Sequence, residues 1–326
     1  MRSHVVIDNT SSLVALSLGY NGRMHTRHEY GGITWIDLES PTNNEVRQVA
    51  EQFKISGGIA DELLHPASKP RAEFYPSYAY VIMHFPALKH SHATREQEVD
   101  FIIGKDFLVT THYETIDPLH KFSKVFDVNA TLDTMPLSDH GGFLFFYTVK
   151  KLYKAIEYEL DFLRRELAAI EEHIFSGSEI DMVSAISRAS RGLLNLRQTI
   201  EPHRDILRTL EESGPGFFGE EFSPYLRSLS NEYYRVHNHI TRATDFLHEL
   251  RETNNSLLTT KQNETMKVLT VIALFVLPLS FMAEIFAMDT KNMPIIGAPH
   301  DFWIVIAMML MVGGVMFMLF RRKKWL

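Results

Sequence analysis

A chain of 326 residues with 45% hydrophobic side chains and a formal net charge of −7 has material for about two folded domains. Residues 1–260 carry 26 Lys and Arg against 36 Asp and Glu, a balance of −10 that repels nucleic acid and anionic lipid and attracts cations. The absence of cysteine excludes disulfides, thiolate metal sites and Cys nucleophiles, and no phosphate loop, Walker-type lysine or serine elbow is there to carry ATP coupling or catalysis, so no enzyme activity is expected.

The opening MRSHVVIDNTSS has no apolar h-region, so no cleaved signal is expected and the bulk of the chain is placed in the cytosol. Residues 33–38 (ITWIDL) alternate as a strand, 79–85 (AYVIMHF) read as β, and 99–113 (VDFIIGKDFLVTTHY) read as a hairpin turning at Gly104-Lys105-Asp106. Between them, Thr42 and Glu45 have the spacing of a capping box and start a helix. Residues 1–140 are therefore expected to form a cytosolic α/β domain. From Gly142 the apolar period changes to three and four: one helix over 143–175, a second over 180–212 interrupted at Pro202, and then a Gly/Pro-rich break at 213–224. After Pro224 neither proline nor glycine occurs until Pro278, so a third helix runs unbroken to Met288, roughly 100 Å at 1.5 Å per residue. Residues 141–262 are expected to form a helical bundle and stalk, a rod able to couple a cytosolic event to a membrane.

Residues 263–326 form the expected membrane domain. Val268–Met288 is a 21-residue stretch whose only charge is Glu284, and Phe302–Phe320 is a 19-residue stretch with none; both reach spanning length. The spans are placed at about 266–288 and 302–320, joined by a 289–301 loop of net charge −1 and followed by the basic Arg321, Arg322, Lys323 and Lys324. This asymmetry puts both termini in the cytosol, with the chain a multi-pass protein of the cell inner (plasma) membrane.

Where the third helix enters the bilayer, Asn263, Met266, Thr270, Ala273, Leu277, Ser280, Glu284 and Ala287 recur at alternating spacings of three and four. Between Val268 and Met288 the polar residues Thr270, Ser280 and Glu284 all lie on this seam. A polar stripe in hydrocarbon must face protein or water, and two helices cannot enclose a water-filled path, so a pore reading requires several copies of the chain. Rings of Asn, Thr, Ser and Glu separated by Met and Leu constrictions would suit a cation pathway with apolar gates. Pro278 frees the carbonyl of Leu274 to join such a lining. The competing reading is that Glu284, about 6 Å from the helix end, snorkels to the headgroups while Ser and Thr bond their own helix.

On the stalk, His237-Asn238-His239 looks like a metal motif, but residues i and i+2 point to different sides of a helix. Asp245, Glu249 and Glu252 form an acidic face that could meet a neighbouring copy and hold a regulatory cation; the ordinary alternative is a surface salt-bridged to Arg242 and Arg251.

The segment NETMKVLTVIALFVLPLSFMAEIFAMDTKNMP resembles the first transmembrane helix and signature loop of the CorA family of divalent-cation transporters. The likeness includes residues 266–270 (MKVLT), Pro278-Leu279, Phe281, Ala283, Met288, Met293-Pro294 and the terminal RRKKWL. It extends upstream through LHPASKPRAEFYPSYAYVIMHFPAL and EQEVDFIIGKDFLVTTH, and IEPHRD resembles a family helix element. The resemblance implies a CorA-like funnel architecture: an α/β cytosolic domain, a long-helix stalk and two transmembrane helices, assembled as a homopentamer. It implies that Asn263, Met266, Leu277, Ser280 and Glu284 face the pore and that Glu284, Met288 and Asp289 meet the metal. The family's Gly-Met-Asn signature is here Ala287-Met288-Asp289, and its usual glycine at 284 is glutamate, so two rings of carboxylate, roughly 7 Å apart, replace neutral groups. No organic cofactor is implied; a divalent cation is both transported substrate and regulator, Mg²⁺ first because it dehydrates reluctantly, with Co²⁺, Ni²⁺ and Zn²⁺ as further candidates. The zinc branch of the superfamily is an alternative, against which stands a seam without Cys or His. The second alternative is a membrane-anchored cation sensor or scaffold that no longer conducts.

Overall fold

The computed structural model describes residues 25–30, 32–66, 69–86, 96–132, 140–288, 295 and 300–323. In chain order the elements are β1 (His25–Tyr30), β2 (Ile33–Glu39), α1 (Asn43–Phe53), α2 (Gly57–Glu62), β3 (Arg71–Phe74), β4 (Ala79–Phe85), β5 (Gln97–Ile103), β6 (Phe107–His112), α3 (Asp117–Leu132), α4 (Gly141–Phe175), α5 (Glu179–Ile200), α6 (His203–Phe218), a 3-10 turn (Glu220–Phe222), α7 (Ser223–Ala287) and α8 (Asp301–Arg322). They fall into two compact units, residues 1–172 with 184–249, and residues 173–183 with 250–326.

In the first unit the strands form one six-stranded sheet in the order β1-β2-β6-β5-β4-β3, antiparallel except for β2 and β6. Every described residue of β5 and β6 is buried, because both sheet faces are covered, and such strands read as near-continuous apolar runs. Against one face α1 and α2 place Val46, Val49, Ile59 and Leu63 over Ile36, Leu38, Tyr80, Ile82, Ile102 and Val109. Each such side chain removed from water contributes about 1.5–3 kcal/mol. The α1 cap is the one its sequence implies: Thr42 Oγ1 accepts from the Glu45 amide, and the Thr42 amide donates to Glu45 Oε2 at 2.8 Å. The β5–β6 hairpin turns at Gly104, where a β-carbon would lie 2.1 Å from the Phe107 ring. On the opposite face of β5, Phe101 packs edge-on against Phe145 of α4.

The Gly/Pro-rich stretch does not break the helix where the sequence suggests. α6 runs through Pro215 to Phe218, and the reversal is at Gly219, with φ 98°. Tertiary packing overrides the local signal: Gly214 sits so close to α7 that a β-carbon would meet Leu226 Cδ1 at 2.6 Å, and Phe217 and Phe218 pack on Phe74. Pro202 does end a helix, separating α5 from α6.

In the second unit the distal part of α7 and all of α8 are, among the described residues, the helices long and apolar enough to cross a membrane. Pro278 lies inside the continuous 65-residue α7. The turn between α4 and α5 is held to α7 by Lys261, whose Nζ donates to the Gly177 carbonyl at 3.1 Å and to Glu179 Oε2 at 2.5 Å. That hydrogen bond from Lys261 keeps the Glu179 carboxyl below its ordinary range.

Candidate functional site

The apolar part of α7 has two distinct faces. Val271 is buried and Phe275, Pro278, Leu279, Met282 and Phe286 are half-buried, on a face where the Phe275 ring lies 3.6 Å from the place of a β-carbon on Gly313 of α8. The small residue lets the two helices approach closely. Asn263, Met266, Thr270, Ala273, Leu277, Ser280, Glu284 and Ala287 are all exposed. At about 100° per residue they lie roughly opposite the Val271–Phe275 face. The chain by itself therefore leaves its polar seam uncovered, with Leu277 66% exposed in the middle of it.

Along that seam Thr270 donates its hydroxyl to the Met266 carbonyl at 2.7 Å, which leaves only acceptor capacity on its oxygen. Glu284 stands on the last turn of α7, and Met288, just beyond the helix, is 58% exposed. Asp289, Lys291 and the Met293-Pro294 pair lie outside the described residues. Continued toward the N-terminus, the same spacing passes through Thr259, Ser256 and Glu252, all exposed, and in sequence reaches Glu249 and Asp245, exposed as well. In sequence, the acidic residues and the polar seam continue one three-four spacing. Ser256 and Thr259 are its members that the sequence reading missed; the three-four spacing was the available signal. A stripe with a period of 3.5 drifts around a straight helix, so helices sharing it would wind left-handedly.

The expected ion pairs on the stalk are absent: among the described residues, no salt bridge joins Asp245, Glu249 or Glu252 to Arg242 or Arg251. Nor do the three acids converge within one chain; among the described residues, no group of three His, Asp or Glu side chains is placed to hold a metal. His237 of the misleading His-x-His pair packs on the Tyr233 ring at 5.7 Å.

Residues 30–322 match the family described as CorA-like Mg²⁺ transporter protein. The chain belongs to that family. A relative, the cobalt/magnesium transport protein CorA of Thermotoga maritima, is 26% identical over 295 residues, covering 90% of this chain and 83% of its own. The divalent cation transporter CmaX of Pseudomonas aeruginosa is 27% identical over 188 residues, covering 56% and 55%. The structure of the CorA magnesium transporter from Methanocaldococcus jannaschii superposes with a TM-score of 0.80 at 20% identity, covering 90% of this chain and 92% of that one, which establishes the CorA fold: an α/β domain, a long helix and two C-terminal membrane helices. The family is one of transporters, not enzymes.

The polar groups buried in the α/β part of this CorA-family chain serve the fold. His203 is fully buried; its Nε2 donates to the His84 carbonyl at 2.7 Å and its Nδ1 accepts from the Tyr153 hydroxyl at 2.9 Å. Burial lowers the imidazole to about 4, so it stays neutral and fixes α6 to β4 and α4. Trp35 Nε1 donates to Thr110 Oγ1, which donates to Asp37, and His112 Nε2 lies 3.3 Å from the other Asp37 oxygen. Burial works against the charged form of His112, yet Asp37 outweighs it and the net shift is upward. Asp100, 1% exposed on the Ile102 face of β5, is pushed up to about 9 by burial and then by Glu98, so it is a neutral acid at pH 7. No period in the sequence distinguishes these residues from their strand neighbours.

Proposed function

We propose that the protein is a homopentameric channel for divalent metal cations in the cell inner membrane, with both termini cytosolic. Mg²⁺ is the first substrate, and Co²⁺, Ni²⁺ and Zn²⁺ are secondary ones; the relatives, a cobalt/magnesium transport protein and a divalent cation transporter, support this set. The domain division that goes with it is a cytosolic 1–140, a bundle and stalk 141–262 and a membrane part 263–326.

The observation that carries the reading is the exposed polar seam opposite the α8 face. Exposure of Glu284 to lipid would cost several kcal/mol, whereas copies arranged around an axis turn the same face toward water. The proposed lining is Asn263, Met266, Thr270, Ala273, Leu277, Ser280, Glu284 and Ala287, with Glu284, Met288 and Asp289 meeting the metal at the outer end. Met266 and Leu277 would form apolar constrictions, and Asn263 and Ser280 supply neutral oxygens for a hydrated ion. Asp245, Glu249 and Glu252, on the same stripe, would draw cations toward the cytosolic end and hold a regulatory one between copies.

Flux of Mg²⁺ into proteoliposomes tests this directly. Glu284→Gln is expected to raise the half-saturating Mg²⁺ concentration several-fold, since it removes a carboxylate from each copy's contribution to the lining. Unchanged flux and metal preference in this variant would return Glu284 to a headgroup contact. A monomeric mass in mild detergent would remove the pore altogether.

A further inference from the structure

Two grooves run between α4 and α7 in the first unit, and they differ in one respect. The first, about 480 Å³, is lined by Lys150, Lys154, Glu157, Glu232 and Arg235. Two of its three cations are paired with carboxylates of its own wall: Arg235 with both Glu157 and Glu232, and Lys150 with Glu232 at 3.8 Å. The second, about 530 Å³, is lined by Arg164, Leu167, His239, Arg242, Ala243 and Phe246, with no carboxylate in its wall. Among the described residues neither Arg242 nor His239 has a salt bridge or hydrogen-bond partner, and Arg164 has only the exposed Asp161 of its own helix at 3.7 Å. In a region of net charge −10, a groove whose wall holds two arginines and no carboxylate is unexpected on composition alone.

The spacing of the wall makes it a formed surface. His239, Arg242, Ala243 and Phe246 stand at i, i+3, i+4 and i+7 on α7, and Arg164 and Leu167 at i and i+3 on α4. Leu167 and Ala243 are buried and make an apolar floor, with the Phe246 ring half-buried beside it. Guanidinium groups over an apolar floor bind a phosphate more strongly than they would in open water, because the forked donors match its oxygens and the floor excludes solvent. An aromatic ring flanking them offers a stacking surface for a planar group. The volume falls within the range of small-molecule sites.

We propose that this groove is a binding site for a nucleoside phosphate, its phosphates held by Arg164 and Arg242 with His239 as a further donor, and its base against Phe246. The site is separate from the polar seam and independent of conduction.

The test is calorimetric titration of the detergent-solubilised full chain with ADP, in parallel with inorganic pyrophosphate and adenosine. ADP is expected to bind more tightly than either fragment. Arg164→Ala and Arg242→Ala are each expected to weaken ADP by about tenfold, the worth of a charge-assisted contact, and Arg242→Lys by less. Phe246→Leu is expected to weaken ADP while leaving pyrophosphate unchanged, and Lys154→Ala in the neighbouring groove to change neither. Circular dichroism of the exposed-residue variants checks that they fold. No ADP binding, equal affinity for ADP and pyrophosphate, or ADP binding indifferent to both arginines overturns the proposal. A change in oligomeric mass on Arg242→Ala without ADP binding also overturns it, and assigns the groove to an acidic face of a second copy.

Discussion

Between Leu226 and Leu250, α7 buries Leu226, Leu229, Tyr233, Val236, Ile240, Ala243, Leu247 and Leu250 at alternating spacings of three and four, and exposes mostly polar residues between them. Between Val268 and Ala287 the same helix exposes Val268, Leu269, Ile272 and Phe281, each more than half accessible, and its polar residues Thr270, Ser280 and Glu284 also stand uncovered on a stripe of their own. The three-four period is the same in both halves, but it means opposite things. In water, the regular apolar stripe is the face that meets protein. In hydrocarbon the apolar surface needs no partner, so the regular polar stripe is the face that must find one.

The largest effect expected from this contrast comes from shortening one leucine in each half. Leu229→Ala, in the buried stripe, should destabilise the solubilised protein by about 2–5 kcal/mol. Leu277→Ala, in the exposed stripe, should change the stability of the single subunit by no more than about 0.5 kcal/mol, yet alter cation flux. Thermal denaturation in detergent alongside liposome flux reads both. Equal destabilisation by the two variants would mean that α7 presents one kind of face along its whole length.

The first unit also buries titratable groups away from water. His203 is held neutral, at about 4 instead of the ordinary 6.5, so its contribution to stability is complete above pH 6.5 and is lost as pH falls toward 4, on the order of 3 kcal/mol in all. The midpoint of unfolding followed from pH 7 to pH 4 should show that loss, and His203→Gln should flatten it. Asp100 has the opposite sign. With its carboxyl raised from 3.8 to about 9, its contribution is complete below pH 3.8 and is lost as pH rises through 9. Asp100→Asn should remove this alkaline slope. A wild-type profile flat between pH 7 and 9 would place Asp100 in contact with water.

Local pattern made much of the fold legible. The strand β4 at 79–85, the β5–β6 hairpin around Gly104, the Thr42–Glu45 cap and the continuous helix after Pro224 follow from alternation, turn residues, capping chemistry and the absence of helix breakers. These are short-range signals that do not depend on what packs nearby. The strands β1 and β3 escaped notice because an edge strand needs little apolar character of its own; β3 is half-buried throughout and gains its place by pairing with β4. The residues of the candidate seam were likewise readable, since the spacing of Asn263 through Ala287 is a property of the chain.

By itself the sequence determined strands β2, β4, β5 and β6, helices α1, α4 and α7, the two apolar spans and the three-four stripe, because each is set by neighbours within a turn or two along the chain. The tertiary structure alone decided three other features. It carried α6 through Pro215, because contacts with Leu226 and Phe74 outweigh one missing amide donor. It made His203 and Asp100 neutral, because burial under distant segments is the largest cause disfavouring their charge. And it turned Val271 and Phe275 toward α8 and left Glu284 uncovered, because which face of a helix is occupied depends on the close approach that Gly313, some forty residues away, allows.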